Sequence, residues 1–342
     1  MSRRRPFTRP VALAAALATL ALAAGCGAKH ETLGAPPAQS LSLLLDYLPN
    51  ADHAGIYTAK VEGDFRAAGL DVSIRTPSDP AEPLRLLAAG RVDLAVSYEP
   101  ELMLARDRGA QLVAVGALVQ EPLTSLISLP GSRVQRPADL ANARLGTAGI
   151  PYQHAELTTI LGRAHVAPSA VHEVNVGFNL VPAMLSKQVD ATLGAYWNVE
   201  AVQLAAQHHP PRVIRVDQAG VPTYDELVVV ARRDELANRG ARIRRFMQAL
   251  SRGYASERQS PDRATHDLLA AAPGAGEPAI VADQVRTTVP ALFPTDPARP
   301  FGYQDPGAWS AFADWMAQNH LVSHRERLAN AETDEFLPGQ GV

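Results

Sequence analysis

The sequence predicts an α/β protein built as two lobes, and three observations carry that reading. An apolar run, a polar turn and an amphipathic stretch succeed one another at 41–69 and again at 92–109, the strand-loop-helix unit of an open α/β sheet. Around Pro130-Gly131 the rhythm starts afresh and supplies its own alternation of strands and helices to about residue 207. A later apolar stretch, 226–231, reads as a strand returning to the first lobe, after which the chain turns mostly helical.

The first unit organises the rest. Leu41, Leu43, Leu44 and Leu45 form a buried strand that ends in Asp46-Tyr47, and Pro49-Asn50 breaks it. Asp52 is placed to cap one helix whose apolar residues Ile56, Ala59, Phe65 and Ala68 recur at helical spacing until Gly69. Ligands of open α/β sheets sit beyond the carboxyl ends of strands, so Asp46, Tyr47, Asn50 and His53 are candidate contacts. They offer a carboxylate, an aromatic face, an amide and an imidazole. Residues 70–75 and 92–96 are the next strands. The second of these ends in Ser97, Tyr98 and Glu99, with Pro100 in the first turn of a helix. Two further strands, 112–119 and 123–129, are split by Gln120-Glu121-Pro122.

In the second block, 144–146 leads through the small-residue turn 147–151 to Tyr152 and a helix over 153–163. Strand 171–176, helix 180–186 and strand 191–195 follow, the last opening into Tyr196, Trp197, Asn198 and Glu200 at the start of a helix. After strand 213–216, Tyr224 and Asp225 precede the returning strand. Helices are expected at 241–256, 261–271, 278–289 and 306–319. The stripes Phe246, Met247, Leu250, Tyr254 and Trp309, Phe312, Trp315, Met316 read as core.

The ends and the composition narrow the possibilities. Arg3, Arg4, Arg5 and Arg9, the apolar run 11–22 and Ala23-Ala24-Gly25-Cys26 read as a lipoprotein export signal over 1–26, with Cys26 the lipidated residue. Residues 27–40, with Gly34, Pro36 and Pro37, read as a tether. Cys26 is the single cysteine, so no intrachain disulfide is expected. Removing residues 1–25, with four Arg and no acid, leaves 28 basic against 35 acidic residues, formally −7. Such a balance without basic runs argues against nucleic acid. His208-His209 and the His320/His324 pair lack carboxylate partners for a metal, and no G-x-S-x-G elbow occurs. The sequence therefore predicts no catalytic residue, metal or cofactor.

Six of the eleven Tyr and Trp residues (Tyr47, Tyr98, Tyr152, Tyr196, Trp197 and Tyr224) fall at these strand ends and turns. Carboxylates and amides accompany them, while Arg and Lys are absent. That set favours a flat heteroaromatic ligand carrying N–H donors over an oxyanion, which calls for Arg. The turn 147–149 also offers backbone N–H groups that could bind an anion.

Four segments, LDYLPNADHAGIYTAKVEGDF (45–65), AAGRVDLAVSYEPELMLARDRG (88–109), VAVGALVQEPLTSLISL (113–129) and VDATLGAYWNVEA (189–201), resemble the substrate-binding lipoproteins of ABC importers in the family named for thiamine-pyrimidine biosynthesis. The resemblance implies a type II periplasmic-binding-protein fold. Its lobe 1 comprises 41–129 and 225–342, its lobe 2 130–224, with crossings near 125–129 and 226–231. It implies that Asp46, Tyr47, Asn50, His53, Ser97, Tyr98 and Glu99 face Tyr152, Tyr196, Trp197 and Glu200 across the cleft, with Tyr224 and Asp225 near the hinge. An aromatic pair would stack on a pyrimidine ring while carboxylates and amides read its amine and ring nitrogens.

The implied ligand is a thiamine pyrimidine precursor, formylaminopyrimidine or hydroxymethylpyrimidine, with riboflavin as the alternative taken by close relatives. The implied partners are a permease and its ATPase, served by a monomer lipid-anchored on the extracytoplasmic face of the membrane. The same family contains the fungal pyrimidine synthase, which consumes pyridoxal phosphate on a lysine and one of its own histidines and needs a cysteine-rich iron motif. Those positions are Ser97, Glu101 and 223–227 here, so the resemblance is to the binding proteins rather than to the enzyme.

Overall fold

The computed structural model describes Met1 and residues 38–339; the expected export signal with Cys26 and most of the expected tether lie outside the described residues. The strands are β1 (Gln39–Leu44), β2 (Leu70–Arg75), β3 (Leu94–Ser97), β4 (Leu112–Val119), β5 (Thr124–Ser128), β6 (Arg144–Thr147), β7 (His172–Asn175), β8 (Ala191–Tyr196), β9 (Arg212–Arg215) and β10 (Leu227–Arg232). The helices are α1 (Ala54–Val61), α2 (Asp64–Ala67), α3 (Pro83–Ala88), α4 (Glu99–Asp107), α5 (Pro151–Arg163), α6 (Leu180–Leu185), α7 (Glu200–Ala206), α8 (Arg233–Gln259), α9 (Pro261–Ala271), α10 (Pro278–Thr288) and α11 (Pro306–Gln318).

Two five-stranded sheets organise these elements, in the orders β2-β1-β3-β10-β4 and β7-β6-β8-β5-β9. In the first, β1 runs parallel to β2 and β3, and β10 enters antiparallel between β3 and β4. In the second, β6 runs parallel to β7 and β8, and β5 enters antiparallel between β8 and β9. Although β4 (LVAVGALV) ends the sheet order, later segments cover its outer edge: the Ala114 N–H and carbonyl bond Ala331 and Thr333, and the Ala117 N–H bonds the Gly302 carbonyl, so it is apolar without alternation and wholly buried. The edge strand β2 (LDVSIR) alternates and exposes Asp71 and Ser73.

Three sequence expectations change. Residues 123–129 were assigned to the first lobe, but β5 pairs with β8 and β9, so the chain leaves the first sheet within Gln120–Leu123. An apolar run specifies a buried strand and not its partner, which is a non-local property. The predicted single helix after β1 is broken at Gly63, whose φ of +84° glycine adopts without the penalty of a Cβ. Phe65 nevertheless stays on the core face, stacked on Phe246 at 5.2 Å, so apolar spacing runs straight through the break. The cap is Asn50 rather than Asp52: the Asn50 side chain accepts the Asp52 N–H at 2.8 Å, and the Asn50 N–H donates to His53 Nδ1 at 3.2 Å.

Helix α1 is held on α8 through a backbone approach that two glycines permit. A Cβ at Gly55 would strike the Tyr254 ring, and one at Gly253 would strike the Gly55 carbonyl. From that contact Tyr254 donates its hydroxyl to the Asp52 carbonyl at 2.8 Å, fixing the loop after β1. Phe246, Met247, Leu250, Tyr254, Trp309, Phe312 and Met316 are buried as the helical stripes predict, with Trp315 half-buried beside them.

Candidate functional site

The strand ends of both sheets meet around a closed-up cavity of only about 10 Å³. Tyr47 and Asn50 follow β1, Tyr98 follows β3, Ala148, Ile150, Tyr152 and Gln153 follow β6, and Gly194, Tyr196 and Glu200 come from β8 and α7. Contacts cross between the sheets all round it. The Tyr98 and Tyr152 rings lie 4.9 Å apart, and Tyr47 meets Phe178 edge-on at 4.8 Å while its hydroxyl donates to the Gly177 carbonyl at 3.3 Å. The Tyr152 N–H donates to Glu101 Oε2 at 3.2 Å. Outward from this cavity runs a groove of about 380 Å³, with Ser97, Glu101 and Arg108 in its wall and Tyr98 and Ile150 shared with the inner space.

Behind Tyr98 stands a buried relay. The Asn50 N–H occupies His53 Nδ1, so the proton of the neutral imidazole sits on Nε2 and is donated to Asp46 Oδ1 at 2.8 Å. Tyr98 donates its hydroxyl to Asp46 Oδ2 at 2.9 Å. Asp46 and His53 are at most 1% exposed, and neither lines the cavity. Their predicted role as ligand contacts is therefore corrected: they orient Tyr98 and Asn50, which do face the cavity.

Glu226, which the sequence groups with Tyr224 and Asp225 without making it a candidate contact, is a hub. Its Oε2 accepts the N–H groups of Leu123 and Thr124 at 2.7 and 2.8 Å, and its Oε1 accepts the Thr124 hydroxyl at 3.0 Å. The hydroxyls of Tyr152 and Tyr196 each reach Oε1 at 3.3 Å, and that of Tyr224 lies 3.1 Å from Oε2. One carboxylate thus ties both crossing segments to two tyrosines of the cavity wall. Burial raises its pKa while these donors pull it back. Tyr224 also bonds Glu156 at 2.7 Å; burial and the nearby Glu226 charge push the Glu156 carboxyl far above its ordinary range.

Several predicted site residues lie elsewhere. Trp197 gives its indole N–H to the Pro122 carbonyl at 3.1 Å and carries the Arg215 guanidinium 5.4 Å from its ring, so it braces a crossing segment rather than facing the cavity. Glu99 Oε2 accepts the Asp225 N–H at 2.8 Å, and Asp225 Oδ2 accepts the Trp309 indole N–H at 2.7 Å. Both acids line a different cavity behind the crossings. Side chains alternate along extended backbone, so Asp225 and Glu226 point to opposite faces. Tyr224 is buried between Glu156, Glu226 and Phe312. Ser97 lies on the groove wall.

Glu200 remains in the inner cavity. It accepts the Tyr196 N–H at 2.7 Å, and burial pushes its pKa up to about 7. Glu101, read from the sequence only as a position differing from the synthase, lines the groove; burial raises it to about 7 despite Arg108 at 3.6 Å. The 147–149 turn is not an open anion site at Ala148, whose N–H is taken by Gln153 Oε1 at 3.0 Å. Gln153 itself was missed, and its signal was Gly194: at φ +109° a Cβ there would collide with the Gln153 amide.

Paired sheets joined by antiparallel exchanged strands, with strand ends converging on an interlobe cavity, define the class as the periplasmic-binding-protein fold. The alkanesulfonate-binding protein of Xanthomonas axonopodis pv. citri, solved with MOPS, shares it at TM-score 0.69 and 18% identity over 88% of this chain and 99% of that one. The chain belongs to the NMT1/THI5-like family, whose model matches residues 50–264. The formylaminopyrimidine-binding protein of Halalkalibacterium halodurans is 32% identical over 279 residues, 81% of this chain and 84% of that protein. The 4-amino-5-hydroxymethyl-2-methylpyrimidine phosphate synthase of Schizosaccharomyces pombe is 23% identical over 219 residues, 61% of this chain and 63% of the synthase.

Proposed function

We propose that this protein is the extracytoplasmic solute-binding component of an ABC importer and captures a thiamine pyrimidine precursor, with formylaminopyrimidine the first choice. The observation that carries this reading is the convergence of Tyr47, Tyr98, Tyr152 and Tyr196 from both sheets on one cavity with Asn50, Gln153 and Glu200. Tyrosine faces suit a heteroaromatic ring, and amides with a carboxyl near neutrality suit its amine and ring nitrogens. The relative from Halalkalibacterium halodurans supports the same ligand. Entry requires the sheets to part at Tyr47–Phe178 and Tyr98–Tyr152 by bending at 120–123 and 216–226, a hinge closure around ligand. The closed form is what a permease would receive. Anchoring through Cys26 and service as a monomer belong to the same proposal.

A binding role rather than a synthase role is supported by the side chains of the cleft. The described lysines are Lys60 and Lys187, and neither lines the cavity or the groove. By the resemblance the synthase lysine falls at Ser97, which cannot form a Schiff base with an aldehyde cofactor. Thermal unfolding with formylaminopyrimidine, hydroxymethylpyrimidine, thiamine, riboflavin, taurine and nitrate tests the ligand. At one hundred times Kd the true ligand adds about 2.7 kcal/mol. Stabilisation by riboflavin alone would move the protein to flavin capture, and stabilisation by none of the pyrimidines overturns the precursor assignment.

A further inference from the structure

A second cavity, of about 430 Å³, lies behind the crossing segments and includes Glu99, Gln120, Asp225, Phe293, Tyr303 and Trp309 in its wall. Its volume falls within the range of small-molecule sites. It shares no wall residue with the interlobe cavity or its groove, and nothing from β5 to β9 contributes to it.

Its hydrogen bonding is incomplete. Glu99 is 2% exposed and spends Oε2 on the Asp225 N–H, while Oε1 has no partner. The buried amide of Gln120 is likewise unpartnered at both Nε2 and Oε1. Buried polar atoms are normally paired, and a wall that leaves such atoms over is one an occupant completes. The charge of the wall is lopsided, with Glu99, Glu121, Asp225, Asp296 and Asp305 against Arg299. Glu121 is engaged by Arg215 at 2.8 Å, Asp296 by Arg299 at 3.7 Å and the Ala298 N–H at 2.9 Å, Asp305 caps α11 and Asp225 holds Trp309, which leaves Glu99 and Gln120 as the receptive groups. The aromatic part of the wall already suits a planar cation, since the Arg299 guanidinium lies 4.4 Å from the Tyr303 ring centre.

We propose that this cavity binds a small, flat organic cation, an amidinium or protonated aminoheterocycle, whose N–H groups meet Glu99 Oε1 and Gln120 Oε1. Gln120 and Asp225 sit on the two segments that join the sheets, so an occupant biases the hinge and couples reciprocally to ligand in the interlobe cavity. The proposal stands whichever solute that cavity takes.

Benzamidine, titrated calorimetrically into the whole protein, is the probe. One molecule is expected to bind. Glu99→Gln is expected to weaken binding by about tenfold or more. Ala308→Trp places a large ring at the rim from an exposed position on α11 and is expected to block it without touching the core. That variant keeps the test decisive if Glu99→Gln fails to fold. Absence of binding, or binding unchanged in both Glu99→Gln and Ala308→Trp, would overturn the proposal.

Discussion

Asp225 and Glu226 are neighbours in sequence, both carboxylates, both buried, and they lead opposite lives. Glu226 faces the interlobe side, where two backbone N–H groups and the Thr124 hydroxyl donate to it and the hydroxyls of Tyr152 and Tyr196 close in. Asp225 faces the back, where it shares a cavity with Glu99, a carboxyl with one oxygen unpartnered. The lesson is that burial alone does not decide what a carboxylate does. The count of donors does: a fully met carboxylate is a structural tie, and an under-met one holds its proton or awaits a partner.

The largest effect should come from breaking the met carboxylate. Glu226→Gln turns an acceptor into an amide whose N–H₂ faces other donors, and it should cost about 3 kcal/mol in urea unfolding. A loss below about 1 kcal/mol would show that the donors find other partners and that Glu226 is no hub.

The next effect is on pH dependence, from acids short of donors. Asp52 has one oxygen on Asn198 at 2.6 Å and the other unpartnered, and burial raises its pKa from 3.8 to about 7. Its folded pKa exceeds its unfolded one, so its contribution is whole below pH 3.8 and is lost as pH rises to about 7. Glu101 and Glu200, both raised to about 7, act in the same direction. The urea midpoint should fall from pH 5 to pH 7, and Asp52→Asn should flatten that slope. A midpoint that climbs over this window contradicts the assignment.

Tyr47→Ala should weaken solute binding by about tenfold, because Tyr47 spans the closed cleft from loop to Phe178. Its half-buried position predicts a modest loss of stability, and unchanged affinity by calorimetry would remove it from the site. The smallest effect belongs to the back face. Glu99→Gln keeps an acceptor for the Asp225 N–H and removes an unpartnered acid oxygen, so unfolding free energy should move by less than about 1 kcal/mol. A loss as large as that of Glu226→Gln would erase the contrast.

Which of these roles could be read from the sequence follows the same division between local and non-local. Strand ends were legible because apolar runs stop at polar turns, and that placed Tyr47, Asn50, Tyr98, Tyr152, Tyr196 and Glu200 at one cavity. The C-terminal helical stripes were legible because their period is local. What the sequence hid depends on partners far along the chain. His53 and Asp46 look like ligand contacts until the fold shows each spending its hydrogen bonds internally. Trp197 looks like a stacking platform until Pro122 claims its N–H. Asp225 and Glu226 are interchangeable in a string of letters and are separated only by which way an extended residue points. The break at Gly63 was masked because Phe65 regains the core face beyond it.

The exchange of β10 into the first sheet bears on how the chain is born. Synthesis delivers the N-terminus first, and residues 124–215 carry every strand of the second sheet in one continuous piece. The first sheet must wait: β3 and β4 have no mutual pairing, and the strand that joins Ser97 to Gly116 is residues 227–232. Until those residues emerge, two fully buried apolar strands hold bare edges, the condition in which nascent chains aggregate or recruit a chaperone. The half of the molecule that appears first is thus completed last.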